Sequence, residues 1–108
     1  MTGETFTWPG FDGADPGHRT LQGFLVLDVQ YAPERSDEML ANVQAYRRGD
    51  RSVFEGSGNG YEFECRPEGF FLDSLYEGDE LTPVTGDYKT VEIALSAWGR
   101  YCRQRHAE

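Results

Sequence analysis

The apolar positions change their period several times along the 108 residues, and each change marks an element. Up to Thr20, the residues Phe6, Trp8 and Phe11 are scattered among Gly, Pro and Asp, which predicts an irregular arm with a short strand around 5–8. From Leu21 to Tyr31 the run Phe24, Leu25, Val26, Leu27 and Val29, bounded by Gly23 and Ala32-Pro33, is β-favouring and predicts a well-covered strand. Ser36 suits an N-cap, Asp37 and Glu38 the positive end of a helix dipole, Arg47 and Arg48 the negative end, and Gly49 the C′ position. A helix over 37–48 is therefore expected, with Met39, Leu40, Val43 and Tyr46 as its core stripe. The segments 52–55 and 61–66 then flank Gly56-Ser57-Gly58-Asn59-Gly60, and Tyr61, Phe63 and Cys65 alternate with charged residues. That is the pattern of a hairpin with one wet face.

Pro67-Glu68-Gly69 predicts a second tight turn into a strand over 70–76, with Phe70 and Leu72 on one side and Phe71, Asp73 and Leu75 on the other. Residues 77–87, with Gly78, Pro83 and Gly86, read as a loop. Asp87 or Thr90 caps a last helix, in which Val91, Ala94, Leu95, Trp98, Tyr101 and Cys102 recur at helical spacing. The order strand, helix, three-strand meander, helix defines an α+β fold: an antiparallel sheet of about four strands with two helices packed on one face. One domain over 21–108 follows an arm over 1–20, and a chain of this length buries enough surface for a single core.

Composition supports a folded domain, since 14% aromatic residues supply the large side chains that offset ordering entropy. The longest aliphatic and aromatic run, Phe24–Leu27, is far short of a membrane span, and the first ten residues lack a basic n-region and an apolar h-region. The expected compartment is the cytoplasm. Cys65 and Cys102, far apart and each among residues of one apolar face, are expected to be buried free thiols without metal-ligand spacing.

Charge sharpens the choice of partner. The excess of acids gives a net charge of -9, which repels phosphate backbones and anionic lipid, so neither nucleic acid nor a membrane is an expected direct partner. Between Glu62 and Glu92 every basic residue but Arg66 and Lys89 is missing, while acids recur throughout. Catalytic chemistry is sparse by contrast. His18 lies in a Gly-Asp-Pro-rich stretch and His106 near a chain end, and no Ser-His-Asp, CxxC or zinc-helix pattern is present. Glu62 and Glu64, at i and i+2, are either a solvated strand face or a carboxylate pair for acid–base work or a hard metal, and no third ligand is spaced to join them. No enzyme activity, cofactor or metal is therefore expected. The strip 73–80 sets Leu75 and Tyr76 among Asp73, Glu77, Asp79 and Glu80, a mixture that gives protein interfaces affinity and steering. The candidate partner-binding set is Glu62, Glu64, Asp73, Leu75, Tyr76, Glu77, Asp79, Glu80 and Asp87.

Within 44–105, the stretch Gly-Asp-Arg-Ser-Val-Phe-Glu-Gly-Ser-Gly-Asn-Gly-Tyr-Glu-Phe, the turn Pro-Glu-Gly-Phe-Phe-Leu and the terminal helix with its Ala-Trp resemble small acidic immunity proteins of bacterial polymorphic and contact-dependent toxin systems. The resemblance implies stoichiometric, non-catalytic neutralisation of a cognate toxin, often a basic nuclease, by covering its active site or an adjacent surface; the chain itself is expected to be a monomer or weak dimer. It carries over no binding residue, because such families vary most where they meet the toxin, and it leaves the arm through Thr20 outside. An acidic adaptor or regulatory domain with no toxin partner is the alternative of a different class.

Overall fold

Asp15, in extended backbone, accepts the Gly17 N–H at 2.8 Å, and Pro16 follows at the first helical position. The chain thus enters a helix inside the segment expected to be an irregular arm. The computed structural model, which describes residues 6–57, 60–74 and 83–107, shows α1 over Pro16–Phe24 running directly into a π-helical turn over Leu25–Val29. The strand expected over 21–31 is therefore helical. Its buried residues are Leu21, Phe24, Leu25, Asp28 and Val29, the i, i+3, i+4, i+7, i+8 stripe of a helix. A short apolar run reads equally as a strand or a buried helix, and the Asp15-Pro16 start settles which. Residues 6–8 form no strand, the boundary drawn after Thr20 falls inside α1, and Trp8 belongs to the core.

α2 spans Pro33–Arg48 and starts a turn earlier than expected, with Ala32 at the N-cap and Pro33 at N1. Ser36 is not its cap. That hydroxyl is fully buried and donates to the Leu95 carbonyl at 2.6 Å, tying α2 to α3, Tyr88–Ala107. Gly49 ends α2 in the left-handed conformation at φ 83°, as its place after Arg47-Arg48 predicts. Val43 is fully buried, while Met39, Leu40 and Tyr46 pack against the core partly covered. Two ion pairs bridge the same helices, Arg47 to Glu92 at 2.7 Å and Arg103 to Asp37.

The sheet is a simple antiparallel meander, β1 (Glu55–Ser57), β2 (Tyr61–Arg66), β3 (Gly69–Ser74) and β4 (Val84–Gly86), in spatial order β1-β2-β3-β4. The α+β class and the four strands stand, but the membership differs: β4 arises in the segment expected to be a loop, and β1 begins at Glu55 instead of Ser52. Arg66 pairs with Gly69 across a two-residue turn. Gly69 takes φ 152°, and a β-carbon there would collide with the Gly86 carbonyl oxygen of the neighbouring strand, so both conformation and space demand glycine.

The pleat puts Tyr61, Phe63, Cys65, Phe70, Leu72 and Val84 on the buried face, under the helices. Phe63 sits in an aromatic stack, 5.7 Å from Phe24 of α1 and 6.0 Å from Phe70. Trp98 of α3 is fully buried and meets Phe6 edge-on at 4.9 Å, so the residues before α1 close the core. The Tyr88 hydroxyl donates to the Arg66 carbonyl, pinning the start of α3 to the end of β2. Cys65 and Cys102 are both buried and free.

Asp87 caps α3, accepting the Thr90 N–H at 2.8 Å, and hydrogen bonds from Thr90 hold its carboxyl below the usual range. Asp87→Ala should cost about 1 kcal/mol at neutral pH. A carboxyl whose folded pKa is depressed stabilises above its unfolded pKa, about 3.9, and loses that contribution as pH falls through the folded value. Urea unfolding of the two proteins should therefore differ at pH 7 and converge in acid; a difference that does not shrink with pH would mean the carboxylate is not the cap.

Candidate functional site

Among the described residues no helix lies on the opposite face of the sheet, and its side chains are the other half of the strand alternation. Glu62 stands directly across from Asp73, and Glu64 is flanked by Glu55 on β1 and Phe71 on β3. Arg66 lies 4.0 Å over the Phe71 ring and pairs with Glu64 at 3.0 Å, so the base of this face is neutralised and its apolar ring half-covered. Glu62 and Asp73 have no such cation among the described residues. Like charges placed opposite each other on adjacent strands repel, at a cost of a few tenths of a kcal/mol to about 1 kcal/mol.

Of the nine residues proposed from sequence, the structure brings Glu62, Glu64 and Asp73 together on this face. Asp87 is not with them: it follows Gly86, which pairs with Phe70, and so lies about four residue steps, roughly 13 Å, along the strands from Asp73, with its carboxylate engaged as a cap. Leu75, Tyr76, Glu77, Asp79 and Glu80 lie outside the described residues. Glu92, counted in the acidic surplus, is spent on Arg47. Glu55 was missed because a hairpin pattern does not reveal register; only the Glu55–Glu64 pairing places it beside the others.

A second feature lies on the helical side, under the edge strand β1. The π turn inserts an extra residue per turn and carries Asp28 into the interior, where it is 2% exposed. Asp28 Oδ1 accepts the Gly60 N–H at 2.9 Å, but Oδ2 is buried without a hydrogen-bond partner among the described residues. Such an orphaned oxygen is rare and calls for a reason. Asp28 lines a cavity of about 280 Å³ walled by Phe24, Phe54 and Phe63, with exposed Arg35 and Glu38 at its rim. The cavity exists because Gly56, the β1 residue paired with inward-facing Phe63, has no side chain, and a β-carbon there would meet nothing within 4 Å. The readable signal was one acid inside an otherwise apolar run; taken as a strand, that run gave Asp28 no particular place.

The π turn ends on strain. Gln30 adopts φ 63° and ψ -168°, a region that glycine alone occupies at ease. Its carbonyl is the acceptor for Trp98 Nε1 at 2.7 Å, and its N–H returns to the Leu25 carbonyl at 2.8 Å, so tertiary hydrogen bonds hold the conformation. Gln30→Gly should raise stability by about 1 kcal/mol, the relief of strain exceeding the added freedom of the unfolded chain. A lower midpoint in urea at unchanged slope would contradict the strain.

The remaining reactive groups are held by packing and hydrogen bonds within the fold. His18 Nδ1 accepts the Asp12 N–H at 2.8 Å, Nε2 lies 3.7 Å from Asp15 Oδ2, and the ring packs near Trp8 and Phe11, so a turn and aromatic contacts fix its geometry. Burial raises the pKa of the Cys65 and Cys102 thiols and of the Tyr88 phenol, which favours their protonated forms. Among the described residues no group of three His, Cys, Asp or Glu side chains is placed to hold a metal ion, and no helix is long and apolar enough to cross a membrane.

The architecture defines a class of small α+β domain in which helices cover one face of a four-stranded antiparallel meander and carboxylates occupy the other. No family model, curated protein or solved structure matches the chain.

Proposed function

We propose that this domain is an immunity protein, a stoichiometric and non-enzymatic inhibitor that docks a cationic toxin, of the basic nuclease kind, on the outer face of its sheet. The observation that carries the reading is the opposed pair Glu62 and Asp73, two carboxylates in register with no cation paired to them among the described residues. A fold that keeps a repulsive pair across two strands gives up stability, and such departures from the local optimum concentrate where function needs them. Basic side chains of a partner would cancel the repulsion on docking, and the net charge of -9 would steer the encounter. The resemblance to acidic immunity proteins points the same way, since it covers the stretch that forms all four strands and α3.

Co-expression tests the proposal. The product of the neighbouring gene should be toxic when expressed alone in the host, and this chain should restore growth and elute with it as a stable complex. A harmless neighbour, or toxicity that persists with this chain in excess, sinks the proposal.

A further inference from the structure

Two features converge on the space beneath β1: a buried carboxylate with one oxygen unsatisfied, and a cavity that it lines, walled by three aromatic rings. An uncompensated polar atom in low-dielectric surroundings is costly, and a cationic donor is the group that offsets it most strongly. The volume, about 280 Å³, falls just under the roughly 300–1,000 Å³ of pockets built for whole small molecules. It suits one long side chain. Between the two natural cations, phenyl walls favour the planar, weakly hydrated guanidinium, which stacks on aromatic faces, over a compact ammonium.

We infer that this cavity receives a single arginine side chain from the protein partner, its guanidinium donating to Asp28 Oδ2 and its stem lying against Phe24, Phe54 and Phe63. The inference rests on the reading of the domain as a binder of a cationic protein and names a subsite for it. Its position fits: β1 is the edge strand, and its Glu55 pairs with Glu64 on the outer acidic face, so a partner docked there reaches the cavity mouth around one exposed edge. Glu38 on the rim adds a second carboxylate for an incoming cation. Arg35 shares that rim and forms no ion pair among the described residues, so it is the chain's own competitor for the site.

The experiment titrates the full chain with ethylguanidinium chloride, followed by amide NMR, against sodium chloride at equal ionic strength. Saturable shifts should centre on Gly60, whose N–H is already bound to Asp28, and on the amides of Phe24, Asp28 and Phe63, with millimolar affinity. Asp28→Asn should weaken that binding about tenfold or more, the loss expected for one charge-assisted hydrogen bond. Gly56→Leu, which fills the cavity and leaves the carboxylate untouched, should abolish it with the rest of the spectrum preserved; this variant carries the test if Asp28→Asn fails to fold. Shifts equal to those from sodium chloride, or insensitive to both substitutions, overturn the inference. So does binding that appears only after Arg35→Ala, because the chain's own guanidinium then fills the site. If ethylguanidinium does not bind yet the toxin is neutralised, the subsite falls and the immunity reading stands; if it binds at Asp28 and no toxin is neutralised, the reverse holds.

Discussion

Trp98→Ala should remove about 3–5 kcal/mol of stability through the lost aromatic volume, with roughly 1 kcal/mol more from the lost Nε1–H hydrogen bond to Gln30. Domains of this kind hold about 5–15 kcal/mol in total, so the variant should lose most of its margin and melt roughly 15–30 °C lower. The reason is position. Trp98 is fully buried, it contacts Phe6 and Tyr101 by ring packing, and its N–H holds the strained end of the π turn. Trp98→Phe separates the two contributions, because it keeps most of the ring and leaves the Gln30 carbonyl only the long contact from the Cys102 thiol, 3.9 Å. In a double-mutant cycle Gln30→Gly and Trp98→Phe should couple, since the hydrogen bond of one maintains the backbone of the other. Strict additivity, or a loss below about 1.5 kcal/mol for Trp98→Ala in urea unfolding, would show that α3 does not anchor this core.

The second large effect separates binding from folding. Glu62→Lys should raise stability by about 0.2–1 kcal/mol, since it converts a repulsive cross-strand pair with Asp73 into an attractive one. The same substitution should slow association with the proposed cationic toxin at least about tenfold at low salt, with the gap closing as salt screens the field. Asp73→Lys should behave alike. The double variant Glu62→Lys/Asp73→Lys restores like charges across the strands, so it should forfeit the stability gain and bind worst of the three. Thermal melts and stopped-flow association at two ionic strengths measure both quantities. Stability and association falling together would mean the pair is structural, and association unchanged in all three variants would remove the outer face as the docking surface.

Much of the architecture was readable wherever one local rule acts alone. Gly49 after Arg47-Arg48 ends α2, alternation over Tyr61–Cys65 builds β2 with one wet face, Pro67-Glu68-Gly69 makes the turn, and the stripe from Val91 to Cys102 buries α3 around Trp98. The reading failed where two rules compete. The run from Leu21 has strand-like composition but lies behind an N-cap and a proline, and the start signal prevails because each of its buried positions then faces Phe63, Phe70 or α3. Ser36 looked like a cap and is instead a buried donor to Leu95, a choice made by a residue far along the chain. β4 has three residues and no pattern of its own; it is a strand because β3 offers it an edge.

The candidate site divides along the same line. Glu62 and Glu64 were legible as wet-face acids, and Asp73 as sharing a side with Phe71, because period-2 alternation assigns a side chain to a face without knowledge of its neighbours. That Glu62 opposes Asp73, that Arg66 neutralises Glu64, and that Asp87 is a distant cap are consequences of register.

By itself, the sequence determined the α+β class, the amphipathic faces of α2, β2 and α3, and the acidic character of the domain, since each follows from spacing and composition over a few residues. Only the tertiary structure decided that 21–29 is helical, that Gln30 is strained to meet Trp98, and that Asp28 lies beside a cavity left open by Gly56. These depend on which residues meet across long stretches of chain, and the free energy of burial, which no local window contains, chooses among the local alternatives.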